Sequence, residues 1–265
     1  LSYEFVTILE KSFAAEGMAS MTDSPKKQIE QNGFAILAAV FSESTVDQIL
    51  SQLSATLNDR VEESESIRAR SGAVYAARNM LKVFPPVASM WEMPRLLDLV
   101  GEVLGPDAGL VRVLYFDKPP DRTWTLPWHK DLTITVRRPA GNANEQHKIR
   151  DKAGVPHVEA PLQVLESMLT LRLHLDEVTS ENGPLKVVSG SHRTGKRLTL
   201  DDGPQKTICV NRGDVLAIRP LVSHSSARST AGTTRHRRIL HFEFSGTPQL
   251  PHGLQWYRFI RPVLY

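Results

Sequence analysis

Along the first hundred residues the apolar positions recur at helical intervals. Between Ser44 and Arg60 the residues Val46, Ile49, Leu50, Leu53 and Leu57 fall on one face, with polar residues on the other, which predicts an amphipathic helix. A shorter helix is predicted from Ser24-Pro25 to Asn32, stopped by Gly33, and another from Met93 to Leu104, with Pro94 in its first turn and Gly105-Pro106 beyond its end. The segment FAILAAVF between the first two reads as a strand. From Gly109 onward the period changes. Short apolar or alternating runs, LVRVLYF, LTITV, MLTLRLHL, PLKVVSG, KTICVN, DVLAIRP and RILHFEF, are bounded by Gly, Pro, Asn and Asp and predict strands. Residues 137–167 break this pattern: they are polar and interrupted by Gly and Pro, and such an insertion is expected to form a lid-like loop.

The chain has 265 residues, 41% hydrophobic and 23% charged, with no apolar run near the roughly 20 residues that cross a bilayer. No membrane association is expected. With 32 Lys+Arg against 29 Asp+Glu and no long basic run, nucleic acid is not the expected partner, although the small surplus would steer an anionic small molecule. Cys209 is the only cysteine, which excludes disulfides within the chain and thiolate clusters and fits a reducing, cytoplasmic compartment. Residues 1–22 lack a basic n-region and a long apolar core. They are expected to be an extension, disordered or left over from cloning, since MASMT resembles the start of a common expression tag. With no repeat or linker, residues 23–265 are expected to form one domain.

Candidate chemistry begins in PWHKDLTITV. Side chains at i and i+2 of a strand share a face, so His129 and Asp131 would point one way and Lys130 the other. His224 in PLVSHSS supplies a possible third ligand. Two histidines and a carboxylate leave coordination positions open, as non-haem Fe(II) requires, and zinc accepts the same groups. If iron chelates 2-oxoglutarate, the far carboxylate needs a buried cation; Arg235 and Arg237 share parity on the last strand, and Ser226 lies two residues past His224.

In order along the chain, FDKPPDRTWTLPWHKDLTITV, KAGVPHVEAPLQVLESMLTLRLHLDE, ENGPLKVVSGSHRTG, NRGDVLAIRPLVSHSS and HRRILHFEF resemble the phytanoyl-CoA dioxygenase family of Fe(II)/2-oxoglutarate oxygenases, its bacterial members in particular, from about Gly33 to Ile260. The resemblance implies a mainly β fold, a double-stranded β-helix or jelly roll covered by helices. It implies that His129, Asp131 and His224 hold Fe(II), and that Arg237 with Ser226 holds the distal carboxylate of the 2-oxoglutarate cosubstrate, O₂ being the second cosubstrate. Counting forward from His224 points to Arg235 instead. Arg112 is a further cosubstrate candidate. Lys130 stands where the family often has Gln, and Ser189 replaces the Pro common before GSH. Asp131 is the carboxylate that halogenating relatives lack, so its presence implies hydroxylation or desaturation of a small-molecule substrate. The rival expectation is a jelly-roll binding module that retains a metal without catalysis.

Arg172 and His174 share parity on one predicted strand and line the cavity or brace the barrel. His192 and Arg193, in a turn, are expected to be structural, and Trp124 and Trp128 to pack or wall the pocket. His147 and His157 in the insertion either touch substrate or are solvated.

Overall fold

The computed structural model describes residues 23–59, 66–68, 74–138, 148–152 and 154–262; the expected extension over 1–22 and residues 139–147 and 153 of the polar insertion lie outside this set. Helix α1 spans Pro25–Asn32, with the Ser24 hydroxyl accepting from the Lys27 amide. Gly33 ends it at φ 87°, where a Cβ would strike Val222 and His192, so the left-handed stop also requires the absence of a side chain. Strand β1 (Phe34–Leu37) follows, then α2 (Glu43–Asp59), β2 (Ser66–Arg68) and β3 (Val74–Ala77). After α3 (Met80–Val83) and a 3₁₀ turn at Pro85–Ser89, α4 runs over Pro94–Leu104. The remaining strands are β4 (Gly109–Lys118), β5 (Leu126–His129), β6 (Thr133–Thr135), β7 (Arg150–Lys152), β8 (Val155–Glu159), β9 (Met168–His174), β10 (Leu185–Val188), β11 (Gln205–Ile208), β12 (Val215–Ile218), β13 (His224–Ser226) and β14 (Arg237–Ser245), with α5 (Leu162–Glu166) before β9.

The chain is mainly β. A seven-stranded antiparallel sheet, β1-β12-β9-β14-β4-β3-β2, is joined by a four-stranded one, β11-β10-β13-β5, in the double-stranded β-helix arrangement. Strict alternation gives the larger sheet two unlike faces. One carries Val113, Tyr115, Leu169, Leu171, Leu173, Leu240, Phe242 and Phe244 against the buried stripes of α2 and α4, including Val46, Leu53, Leu96 and Leu99. The opposite face meets the small sheet, with Leu216 and Ile218 packing on Leu185, Val187 and Ile208 at one edge. Towards the centre of that inner face stand polar groups instead: Lys118 on β4, Arg172 and His174 on β9, and Arg237, His241 and Glu243 on β14, all buried.

The polar insertion differs from a lid of loops. Within it β7 and β8 pair with β6 as a three-stranded sheet, and α5 follows. Val155 is buried here, and Val158, Val164 and Leu165 pack with Ile134 and Trp256 in a small core of their own. These few apolar residues, dispersed among Gly, Pro and charged positions, suffice because β8 and α5 together bring Val158, Val164 and Leu165 into one cluster. Among the described residues no helix is long and apolar enough to cross a membrane.

Candidate active site

Strands β5 and β13 pair so that His129 and His224 are direct cross-strand neighbours, their rings 4.2 Å apart between centroids. Asp131, just past the end of β5, is held by a 3.0 Å bond from its amide to the Pro220 carbonyl. The donor atoms of His129, Asp131 and His224 all lie within 4.8 Å of one another. Each imidazole contacts a backbone carbonyl through Nδ1, His129 with Pro127 at 2.7 Å and His224 with Val222 at 2.9 Å. A carbonyl only accepts, so both Nδ1 atoms carry the proton and both Nε2 atoms present lone pairs towards Asp131, at 3.8 and 3.6 Å. Burial, outweighing Asp131, pushes His224 down to about 4, which keeps it neutral. Burial alone would raise the Asp131 carboxyl, but His224, His241, His129 and Arg112 around it hold it below the usual carboxylate range. A carboxylate with two imidazoles fixed through Nδ1 fits a first-row divalent metal.

Lys130 points away from this group, as alternation requires. Its three N–H donors meet three acceptors, Ser191 O at 2.8 Å, Thr194 Oγ1 at 2.9 Å and Gly195 O at 2.7 Å, fastening the strand to the turn that holds His192 and Arg193. Arg193 bonds the Gln31 carbonyl at 2.6 Å, a structural tie to the end of α1.

The two candidate arginines on the last strand fall in different places. Arg237 is buried, and its Nη1 donates to Gly183 O at 2.7 Å and to Ser226 Oγ at 3.2 Å. Arg235 lies at the surface, paired with Glu177 at 2.5 Å and more distantly with Glu181. Register puts Lys118 opposite Arg237, and the lysine Nζ meets the same Ser226 hydroxyl at 2.7 Å. Arg172 is within electrostatic reach of Lys118 and Arg237 on one side and of Asp131 on the other. Burial, with Arg172 and Arg237 beside it, pushes His174 down to about 3. The Nε atoms of Arg172 and Arg237 are buried without a hydrogen-bond partner. Lys118 escaped the sequence reading because it falls two residues past the predicted strand LVRVLYF, just before Pro119-Pro120; its parity with Arg112 was the available signal.

Arg112 is not brought to this end. Six residues from Lys118 along β4, or about 20 Å at strand rise, it pairs with Glu243 and touches His157 at 2.8 Å. Glu243 also meets His241 at 3.3 Å. His157, expected to be solvated or substrate-facing, is buried, with Nδ1 on the Val155 carbonyl. His147 lies outside the described residues. Trp124 stacks on Tyr75 and has Lys118 5.4 Å from its ring.

The family model described as phytanoyl-CoA dioxygenase (PhyH) matches residues 29–237. No curated protein matches the sequence. Solved structures share the fold at low identity. EvdMO1 is 20% identical with TM-score 0.61 over 85% of this chain, which spans only 50% of EvdMO1's length. AviO1 from Streptomyces viridochromogenes Tue57 is 19% identical with TM-score 0.59, covering 86% of this chain and 96% of that one. EctD from S. alaskensis, solved with 2-oxoglutarate and 5-hydroxyectoine, is 17% identical with TM-score 0.65, covering 85% and 76%.

Proposed function

Because the chain belongs to the phytanoyl-CoA dioxygenase family, we propose that residues 23–265 form one Fe(II)- and 2-oxoglutarate-dependent oxygenase domain that hydroxylates or desaturates a small molecule. His129, Asp131 and His224 hold the metal, and Arg237 with Ser226 binds the distal carboxylate of 2-oxoglutarate. Fe(II) held there supplies O₂ activation coupled to conversion of 2-oxoglutarate into succinate and CO₂, which oxidises an unactivated C–H bond. The chain's own part is positional. The backbone carbonyls of Pro127 and Val222 keep both Nε2 lone pairs aimed at one point, and the buried cations fix the cosubstrate's far end. The observation that carries this reading is the convergence of a metal-competent triad with a group of buried cations in which, among the described residues, no carboxylate bonds Lys118 or Arg237.

The substrate side has a basic mouth. A cavity of about 220 Å³ beside Thr133, two residues past Asp131, is lined by Lys148, Arg150, Lys152 and His157, while its acid, Glu159, is bonded to Lys196. Burial, then Arg78, Arg112 and Arg150, lower the Lys152 ammonium, with Asp131 opposing them, so this charge is within electrostatic reach of Asp131. The substrate is therefore one that bears an anionic group. Succinate formation should be stimulated by carboxylated or phosphorylated compounds over their neutral amides or alcohols, and the stimulation should fall with ionic strength.

Anaerobic addition of Fe(II) and 2-oxoglutarate should give a visible metal-to-ligand charge-transfer band, and Asp131→Ala should abolish succinate formation coupled to substrate. Folded, metal-loaded protein without the band would replace the enzyme with a binding module.

A further inference from the structure

Two lysines are buried on either side of the barrel wall, and their donors are used differently. Lys130 spends all three N–H groups on three acceptors. Lys118, with no exposed surface, has two partners, Ser226 Oγ at 2.7 Å and the Ala227 carbonyl at 2.5 Å, leaving one ammonium N–H for something else. Arg237 donates to the same hydroxyl and leaves its buried Nε unpartnered. Three cations, Lys118, Arg172 and Arg237, are thus buried within electrostatic reach of one another. An enclosed charge is held only when it is paired, yet the neighbours facing Lys118 from the packed elements are cationic or neutral: Arg237 on β14, Arg172 and His174 on β9, Ser226 on β13 and Trp124 after β4. Among the described residues no carboxylate bonds Lys118 or Arg237.

We propose that Lys118 is a specificity-determining residue which, jointly with Arg237, binds the distal carboxylate of the cosubstrate and sets the preference for a dicarboxylic over a monocarboxylic 2-oxo acid. This rests on the 2-oxoglutarate reading above and adds to it a second cation. The two free donors, on residues that both bond the Ser226 hydroxyl, suit the two oxygens of one carboxylate. Gly183 contributes by having no side chain: at φ 71° it offers its carbonyl to Arg237, and a Cβ there would lie 2.5 Å from the Ala227 carbonyl and 3.1 Å from Lys118 Nζ. Without the ligand, burial and then Arg237 and Arg172 lower Lys118 to about 7. A bound carboxylate restores the proton, so affinity should decline as pH rises above about 7.

The test is calorimetric, on protein loaded with redox-inert Mn(II), titrated with 2-oxoglutarate and with 2-oxovalerate, which has the same chain length but no far carboxylate. Lys118→Met should weaken 2-oxoglutarate binding about 10- to 100-fold, the range for a charge-assisted hydrogen bond, while changing 2-oxovalerate by less than about threefold on the same scale. Lys118→Arg should recover most of the loss, and the fall in affinity above pH 7 should vanish in Lys118→Met. Lys118→Gln is the companion variant, and Mn(II) affinity with the thermal melt certifies that each protein is folded. An undiminished affinity for 2-oxoglutarate, or equal losses for both acids, overturns the role of Lys118 and leaves the oxygenase reading standing. Failure of the wild-type protein to bind 2-oxoglutarate overturns both.

Discussion

The inner face of the large sheet holds two groups of buried charge, at opposite ends of the same pair of strands, and they are built on different rules. At one end, Arg112 on β4 faces Glu243 on β14, with His241 and His157 completing a set that contains its own counter-charge. At the other end, Lys118 on β4 faces Arg237 on β14, with Arg172 alongside, and the positive charges face one another. The first arrangement braces the barrel without help. The second is a burden on the ligand-free fold that an incoming anion relieves. A buried arginine is thus no guide to cosubstrate binding by itself; what distinguishes Arg237 from Arg112 is the missing carboxylate.

Removing charge from the two ends should have opposite consequences, and the largest effect is expected at the cationic end. Arg237→Ala should raise the 2-oxoglutarate dissociation constant by about 100-fold or more, as truncating a buried charge partner does in other complexes, measured calorimetrically on Mn(II)-loaded protein. At the neutralised end, Glu243→Ala should cost about 3 kcal/mol of stability by leaving Arg112 buried and unpaired, read by urea denaturation, while 2-oxoglutarate affinity stays within about threefold. If Glu243→Ala instead weakened the cosubstrate as strongly as Arg237→Ala, the division between the ends would collapse.

A smaller effect is expected from pH. The folded pKa of Lys118, about 7, lies below its ordinary 10.5, so between these values the unfolded chain binds a proton that the folded chain does not. The ligand-free protein should therefore gain stability as pH rises through that window and carry the full penalty below about 7. Lys118→Met should lose this part of the slope, measured from urea midpoints at successive pH values. The smallest effect belongs to Arg235→Ala. Its exposed pairing with Glu177 and Glu181 is worth at most about 1 kcal/mol, and cosubstrate affinity should not change; a large loss would mean that the count forward from His224 was the better guide.

Much of this architecture was legible in the pattern of residues. Helical spacing located α1, α2 and α4 to within a residue or two, and alternation located β4, β9 and β14, because each element buries one continuous stripe. The i, i+2 placement of His129 and Asp131 was equally local. What alternation could not supply was register. Lys118 meets Arg237 and Arg112 meets Glu243 across more than a hundred residues of intervening chain, and nothing in either strand alone says which cation will find a carboxylate opposite it. The hairpin of β7 and β8 was obscured for a related reason: its few apolar residues are buried by packing on Trp256 and Ile134, which lie elsewhere in the sequence.

The pairing of β4 with β14 also bears on how the barrel reaches its native alignment. Shifting β4 by a single residue would exchange its faces, sending Arg112 and Lys118 into the seam that Leu171, Leu173 and Phe242 fill against the helices. Such a slipped pairing would leave those charges unpaired among apolar side chains, which disfavours it. The side chains that await the cosubstrate in the finished protein therefore act beforehand as a proofreading device for its own folding.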